Sequence, residues 1–358
     1  MIAAALYKYV YLLIVTILTL VVASRYSKYN TSRITNGAIE QIAPSLLLCV
    51  CMAIFIGIRP ISGKYFLDMA GTANMWPYYD LGTFQFSWEW ENKLYDNLRA
   101  YMSTSGMQVE SFFMLISCIY FGASYIACRK LFPKDTGFAF LVFLAAFSTF
   151  SYGTNGIKAG AAASLFLVAL AYHDNRIITI LFTLLSWGFH HSMIMVVACY
   201  LLVYNFHKPK LFLVFWVFCL LMAVLHITTF QQLFASLAED DAAGYLDNEG
   251  RKGFRIDFLL YSAMPVLVGY YAIFKKKIQS KSYNIILCLY LMTNATWMLC
   301  MYAAFNNRIA YLSWFLYPVV LIYPFLKEHW GPNQYLSVKN VAFAHLAFTL
   351  FMVLVFYT

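Results

Sequence analysis

Long apolar stretches, separated by short polar segments, run along the whole chain. A helix that crosses a ~30 Å hydrocarbon layer needs roughly 20 mostly apolar residues, and many of these stretches approach that length. The pattern predicts an all-α polytopic membrane protein with about 12 transmembrane helices. The predicted spans are 7–24, 42–58, 110–128, 137–152, 157–172, 177–190, 192–206, 211–229, 257–274, 283–304, 309–326 and 340–356.

One part of this pattern has two interpretations. Residues 177–207 carry no Lys, Arg, Asp or Glu, so they form either one long tilted helix or two short ones. Two helices would each rise only ~21 Å. We favour two that meet at Gly188–Ser192, because a single crossing would reverse every later loop and place the basic cluster Lys275–Lys281 outside.

Composition excludes a soluble protein. The chain is 62% hydrophobic and only 11% charged, whereas a soluble domain carries about 25% charged residues. No repeat or linker divides it, so residues 1–358 are predicted to form a single integral membrane domain. The eight cysteines contain no CxxC pair, and Glu239–Asp241 lacks calcium-loop spacing. We therefore predict no metal and no cofactor.

The distribution of basic residues predicts the orientation of the chain. Arg25, Lys28 and Arg33 follow the first span, which argues for an outside N-terminus and places most Lys and Arg in inside loops. The two long segments, 59–109 and 230–256, then lie outside. Because elaborated loops tend to carry function, we expect the outer face to be the active one.

Two isolated basic residues point to an anion. Arg308 is the only formal charge between Ser282 and Leu326, and Lys158 opens a predicted helix after a Gly-rich turn. A charge near the bilayer centre costs about 2.5–3.5 kcal/mol on insertion scales, so each needs a reason. A guanidinium fork suits a phosphate, and a helix N-terminus with a Lys can hold an anion. The alternatives are an arginine that sets helix depth and an ordinary polar turn.

Adjacent histidines and a second arginine complete the set of candidates. His190 and His191 stand at the predicted turn, where an imidazole can act as a general base or simply hydrogen-bond to backbone. Arg59 ends the second span, and Asp68 follows in the first long loop. All these residues are predicted near the outer interface and together predict a site for an anionic substrate. No basic patch with interleaved aromatics is present, so nucleic acid is not an expected partner.

At these residues the chain resembles the EpsG family of bacterial exopolysaccharide proteins, which is related in role to Wzy polymerases. The matching motifs, in chain order, are Gly57-Ile58-Arg59, Asp68, Asn155-Gly156-Ile157-Lys158, Phe189-His190-His191-Ser192, and Asn307-Arg308 followed by Tyr311 and Phe315. Lys158 stands where the family often has Arg, so the charge is kept but the fork is lost. His190 matches the family's histidine.

The resemblance implies a polysaccharide polymerase in the bacterial cytoplasmic membrane, with its active site facing outward. Its substrates would be glycan repeat units on undecaprenyl pyrophosphate, transferred to an acceptor hydroxyl. Arg59, Lys158 and Arg308 would then bind pyrophosphate, and His190, His191 or Asp68 would act in catalysis. The lipid bilayer, a chain-length regulator and a flippase are the partners that this role implies.

Two other functions remain open at this point. A membrane O-acyltransferase also uses an intramembrane histidine, although its acyl donor commonly comes from the inside. A glycolipid transporter or flippase would need a path with access from both sides, and it would more often carry ionisable residues near the midplane. The sequence leaves open which histidine is the base, which sugar is transferred and the stereochemical course of the transfer.

Overall fold

The computed structural model describes residues 2–29, 42–232, 253–303, 306–328, 330 and 333–356. Within those ranges the chain folds into helices and no strand, which confirms the all-α prediction. The helices are α1 (Tyr7–Tyr29), α2 (Ile42–Gly57), α3 (Leu67–Met75), α4 (Lys93–Thr104), α5 (Val109–Leu131), α6 (Thr136–Leu144), α7 (Phe147–Thr154), α8 (Ile157–Ala171), α9 (Arg176–Phe189), α10 (Met193–Phe206), α11 (Pro209–Val224), α12 (Ile256–Tyr270), α13 (Lys281–Leu299), α14 (Asn306–Trp314), α15 (Tyr317–Lys327) and α16 (Gln334–Phe351).

Several of these helices have the length and composition of membrane spans. In the described part, 5 are long and apolar enough, namely Ala4–Tyr26, Val109–Leu131, Ile256–Lys275, Asn306–Lys327 and Gln334–Phe356. The bent pair α6 and α7 makes 6 if it counts as one span, and further apolar helices of 10–17 residues include α8 to α11. These helices support a multi-pass membrane protein, while the total of twelve spans stays a prediction.

The chain packs as two compact units. Met1–Ile194 and Gly331–Thr358 form the first, and Met195–Trp330 form the second. Every predicted site residue except Arg308 belongs to the first unit. The prediction of one domain over 1–358 is not tested by this division.

The predicted span 137–152 is wrong as a single helix. It is broken into α6 and α7, which bend by 74°, and Ala146 between them is extended (φ −71°, ψ 138°). The break leaves backbone carbonyls without their helical partners, and side chains donate to them instead. Thr149 Oγ donates to the Phe143 carbonyl at 2.6 Å, and the Tyr11 hydroxyl donates to the Leu144 carbonyl at 2.7 Å. A helix in an apolar setting can break only where such donors are at hand.

Helix α9 ends where the charge-free stretch was expected to turn. Its first turn is capped by Asn175, whose Oδ1 accepts the Ile178 N–H at 3.2 Å, and His190 leaves the helix in an extended conformation (φ −152°, ψ 117°). Helix α10 starts three residues later, at Met193. Residues 177–207 therefore do not form one continuous helix.

The segment between α2 and α5 contains helices α3 and α4. Helix α4 packs closely on the end of α9, since a Cβ on Gly188 would lie 2.6 Å from the Leu94 side chain. Whether this segment lies outside the membrane stays a prediction. Most of the other predicted loop, 230–256, lies outside the described residues.

A stretch rich in exposed aromatic rings, residues 76–90, is fastened at both ends. The Trp76 indole donates to the Met107 carbonyl, and Ser103 Oγ donates to that of Trp76, at 3.1 and 2.8 Å. At the other end, the Asn97 side chain donates to the Ser87 carbonyl and accepts its N–H, at 2.7 and 2.8 Å. Between these fastenings the exposed large side chains are Tyr78, Leu81, Phe86 and, just beyond Ser87, Trp88.

Two glycines give a matched test of this packing. A Cβ on Gly160 would lie 2.7 Å from the Tyr152 carbonyl oxygen, which is backbone and cannot move aside, whereas a Cβ on Gly122 meets nothing within 4 Å. We expect Gly160→Ala to lower the free energy of unfolding by about 1–3 kcal/mol through overpacking. Gly122→Ala should leave it equal or raise it by about 0.5–1 kcal/mol. Thermal unfolding of the purified protein in detergent measures both, and equal melting temperatures would contradict the close contact between α7 and α8.

Candidate functional site

Arg59 joins the ends of two helices. It follows α2 and is 3% exposed, and its Nη1 donates to the Ile56 carbonyl at 2.7 Å while Nη2 donates to that of Thr154 at 3.2 Å. Ile56 lies in the last turn of α2, and Thr154 is the last residue of α7. Two of the N–H donors of Arg59, a predicted phosphate ligand, are therefore already hydrogen-bonded to backbone carbonyls.

The guanidinium of Arg59 is a buried positive charge. The rings of Phe66 and Phe113 have their centroids 5.6 and 5.7 Å away, within the range of a cation–π contact. Burial lowers the pKa of Arg59 to about 10, while the nearby Tyr95 and Asp68 act to raise it. The group is therefore still charged at neutral pH and gives this region a positive field.

Asp68 lies within electrostatic range of that charge but at the surface. It stands exposed in the first turn of α3, where a carboxylate interacts favourably with the helix dipole. It also acts on the buried Tyr95. Asp68 thus belongs to the same neighbourhood as Arg59.

Lys158 lies just after the turn between α7 and α8, to which Arg59 donates a hydrogen bond. It is half-buried in the first turn of α8, four positions after Thr154, and it makes no hydrogen bond or ion pair within the described chain. Gly156, which precedes this helix, gives no side-chain cap to the first N–H groups of α8. Asn155 fastens the turn by donating to the Tyr65 carbonyl at 3.3 Å. An ammonium beside a helix N-terminus is suited to an anion.

The two histidines have different environments. The ring of His190 is turned back on its own chain, with Nδ1 accepting the Ser192 N–H at 3.2 Å and lying 2.7 Å from Ser192 Oγ. Nδ1 of His191 lies 2.8 Å from Glu91 Oε1, at an angle outside that of a hydrogen bond. The rings stack with centroids 5.7 Å apart. Both side chains are partly exposed.

Glu91 and its neighbour Asn92 are residues that sequence reasoning missed. The backbone N–H of His191 donates to Asn92 Oδ1 at 3.1 Å, across 99 positions of sequence. Glu91 was visible only as one acid among several in a long polar segment, and no spacing rule relates it to the histidines. Only the folded chain brings it beside His191.

Tyr95 lies between the arginine and the histidines. Its ring centroid is 6.2 Å from that of Phe189, the last residue of α9, and 5.3 Å from that of Phe112. Burial raises its pKa well above the usual range, and its hydroxyl interacts electrostatically with Arg59. Within the first unit, Arg59, Asp68, Lys158 and the histidine pair are thus linked through α4 and the turn before α8.

Arg308 belongs to the second unit and is described by its own surroundings. It is exposed in the first turn of α14. That turn is contacted by Arg255, which pairs with Asp257 through two hydrogen bonds of 2.9 and 2.7 Å and reaches Asn306 Oδ1 at 3.5 Å. Sequence reasoning missed Arg255, although it stands just before an apolar helix. That Arg308 joins the other candidates stays a prediction.

A family model described as the EpsG family matches residues 73–358. The matched part includes the motifs at 155–158, 189–192 and 307–308, whereas Arg59 and Asp68 precede it. No curated protein and no solved structure matches the chain.

Because Arg59 and Lys158 have different surroundings, we expect their replacement to change the free energy of unfolding by different amounts. Arg59→Ala deletes two charge-assisted donors, each typically worth about 1.5–3 kcal/mol. We therefore expect it to lower the free energy of unfolding by about 2 kcal/mol or more. Lys158→Ala, which removes no hydrogen bond or ion pair within the described chain, should change it by less than about 0.5 kcal/mol. Thermal unfolding in detergent compares the two, and an Arg59→Ala variant as stable as the parent would show that the backbone ties contribute nothing.

Proposed function

This chain belongs to the EpsG family, and from that premise we propose that it is a polysaccharide polymerase, a membrane glycosyltransferase that lengthens a glycan. The donor is a repeat unit carried on undecaprenyl pyrophosphate, and the acceptor is a hydroxyl of a second lipid-linked glycan. The site faces outward from the bacterial cytoplasmic membrane. A flippase that supplies the repeat unit and a chain-length regulator are the partners this role implies.

One observation carries the proposal: two basic residues are associated with the turn between α7 and α8. One donates a hydrogen bond to it, and the other lies just after it. The Thr154 carbonyl accepts from the buried Arg59, and Lys158 stands four positions on with no partner in the described chain. A lipid pyrophosphate carries several negative charges, so a site that releases it needs fixed positive charge where the leaving oxygen forms. The turn supplies that charge at the N-terminus of α8, where Gly156 provides no side-chain cap.

The two basic groups suit different tasks. Arg59 is buried and partly occupied by carbonyls, so it acts chiefly through its field. Lys158 is half-exposed and suits direct contact with a phosphate oxygen. Arg308 stays a proposed phosphate ligand from its sequence motif, with a fork that matches two oxygens of one phosphate.

The glycosidic bond then forms at the histidine pair. One histidine takes the proton from the acceptor hydroxyl, whose oxygen attacks the anomeric carbon of the donor. The bond between that carbon and the pyrophosphate oxygen breaks, and the electron pair leaves with the oxygen. Asp68 interacts electrostatically with Arg59 and is a further acid–base candidate. No step in this scheme calls for a metal or a cofactor.

An apolar face on α9 supports a lipid-linked substrate. Ile177, Ile180 and Leu184 recur at helical spacing and are 80%, 60% and 55% exposed, which places apolar surface along the helix that ends at the histidines. Lipid chains, of the bilayer or of the substrate, would cover such a face. The polyprenyl tail would thus lie beside the reacting groups while the sugars remain in water.

The proposal is tested by giving the purified protein, in liposomes, its lipid-linked repeat unit and measuring glycan length on gels. We expect ladders of longer chains from the parent protein. Removing a fixed charge from a developing anion typically costs about 10²–10³-fold in rate. Lys158→Ala and Arg308→Ala should therefore lose about that much, and Arg308→Lys should recover only part because it lacks the fork.

Arg176→Ala is the matched control. Arg176 is an exposed arginine at the start of α9, on the predicted inside face, and its removal should leave the ladders unchanged. A parent protein that makes no longer chains would overturn the polymerase proposal, and movement of the glycolipid across the liposome without a new bond would indicate a transporter. Full activity of Lys158→Ala would overturn the assignment of the turn as the phosphate site.

A further inference from the structure

The surroundings of His191 define where its ring proton sits. Its Nδ1 lies 2.8 Å from Glu91 Oε1, is shielded from solvent and makes no hydrogen bond of ordinary geometry in the described chain. An ionised carboxylate only accepts, so a proton on Nδ1 makes this contact favourable and a lone pair there makes it repulsive. The His191 side chain is 37% exposed, and that exposed surface belongs to atoms other than Nδ1. The neutral ring therefore carries its proton on Nδ1 and its lone pair on Nε2.

The position of Glu91 is fixed by its neighbour. Asn92 is 2% exposed, and its Oδ1 accepts the His191 N–H at 3.1 Å. The Asn92 N–H in turn donates to Asp96 Oδ2 at 3.2 Å, one turn into α4. The Asn92 side chain thus links the segment that carries Glu91 to the backbone that carries His191.

His190 has the opposite proton arrangement. A backbone N–H can only donate, so the 3.2 Å contact from Ser192 N requires an acceptor at His190 Nδ1. The neutral ring then carries its proton on Nε2. Its one lone pair is already engaged by Ser192, which leaves His190 suited to donate a hydrogen bond and unsuited to take a proton from a substrate.

From this contrast we propose that His191 is the general base of the transfer and that Glu91 is its positioning residue. The assignment rests on the proposed polymerase function. Nε2 of His191 takes the proton of the acceptor hydroxyl as its oxygen bonds to the anomeric carbon. The bond from that carbon to the pyrophosphate oxygen breaks, and the pyrophosphate keeps the electron pair. The Glu91 carboxylate attracts the Nδ1–H side of the ring and stabilises the imidazolium until its proton passes to water.

The proton positions are tested directly, without any substrate. Protein labelled with ¹⁵N at histidine and held in nanodiscs at mildly alkaline pH reports the tautomer of each neutral ring, with signals assigned by His190→Gln and His191→Gln. We expect His191 to be protonated at Nδ1 and His190 at Nε2. Glu91→Gln should shift His191 towards the Nε2–H form, and Glu89→Gln should not. A dominant Nε2–H form of His191 in the parent protein overturns the proposal.

Kinetics then test whether the pair acts in the reaction. General-base catalysis contributes about 10²–10⁴-fold, so we expect His191→Gln to lower kcat by that much. Glu91→Gln should lower kcat by about 10-fold or more, with little change in KM for the lipid-linked donor. If Glu91 works through His191, the double variant should be no slower than His191→Gln alone. The assignment would be overturned if the two losses in kcat multiplied in the double variant, or if Glu91→Gln kept the parent kcat.

Glu89→Gln is the control because Glu89 is an exposed acid two positions from Glu91, and the same charge is removed from the same segment. It should retain the parent kcat. The two proposals fail separately. A parent protein that forms no polymer overturns the function and leaves the tautomer result to be decided on its own, whereas active protein with the wrong tautomer overturns only the roles of His191 and Glu91.

Discussion

The structure depends on one requirement: where an apolar helix breaks, each backbone carbonyl that loses its helical hydrogen bond needs another donor. In surroundings without water such a group must find a donor inside the protein. At the junction of α6 and α7, the donors are Thr149 and Tyr11. At the end of α7 the donor is Arg59. Because that donor is charged, the same hydrogen bond that closes a broken helix also introduces a buried positive charge, and the candidate site is built around it.

The sequence predicted what depends on local pattern. Apolar length located most helices, and the charge-free stretch with Gly188 and two histidines located the turn between α9 and α10. The break at Ala146 was missed because its neighbours are uniformly apolar and one of its donors, Tyr11, comes from 133 positions away. Glu91 was missed for the same reason, since its relation to His191 exists only once α4 has packed on α9. Patterns in one stretch carry no information about partners supplied by another.

The sequence could identify Arg59 and Lys158 as isolated charges but could not tell them apart. Both are basic residues at helix ends, and both were predicted as phosphate ligands. Burial separates them, because Arg59 is committed to carbonyls and Lys158 is half-exposed with no partner in the described chain. The histidines show the same division, since one ring is engaged with its own backbone and the other with a carboxylate.

The aromatic stretch 76–90 is held at its ends by hydrogen bonds that the side chains of Trp76, Ser103 and Asn97 donate to backbone carbonyls. Those fastenings use main-chain groups for the most part, so they constrain few of the side chains between them. Tyr78, Leu81 and Phe86 contribute little to packing because they are exposed. Substitutions at these exposed positions therefore cost the fold least. They can change the shape and chemistry of this surface while the hydrogen bonds at its ends and the α4–α9 contact stay in place.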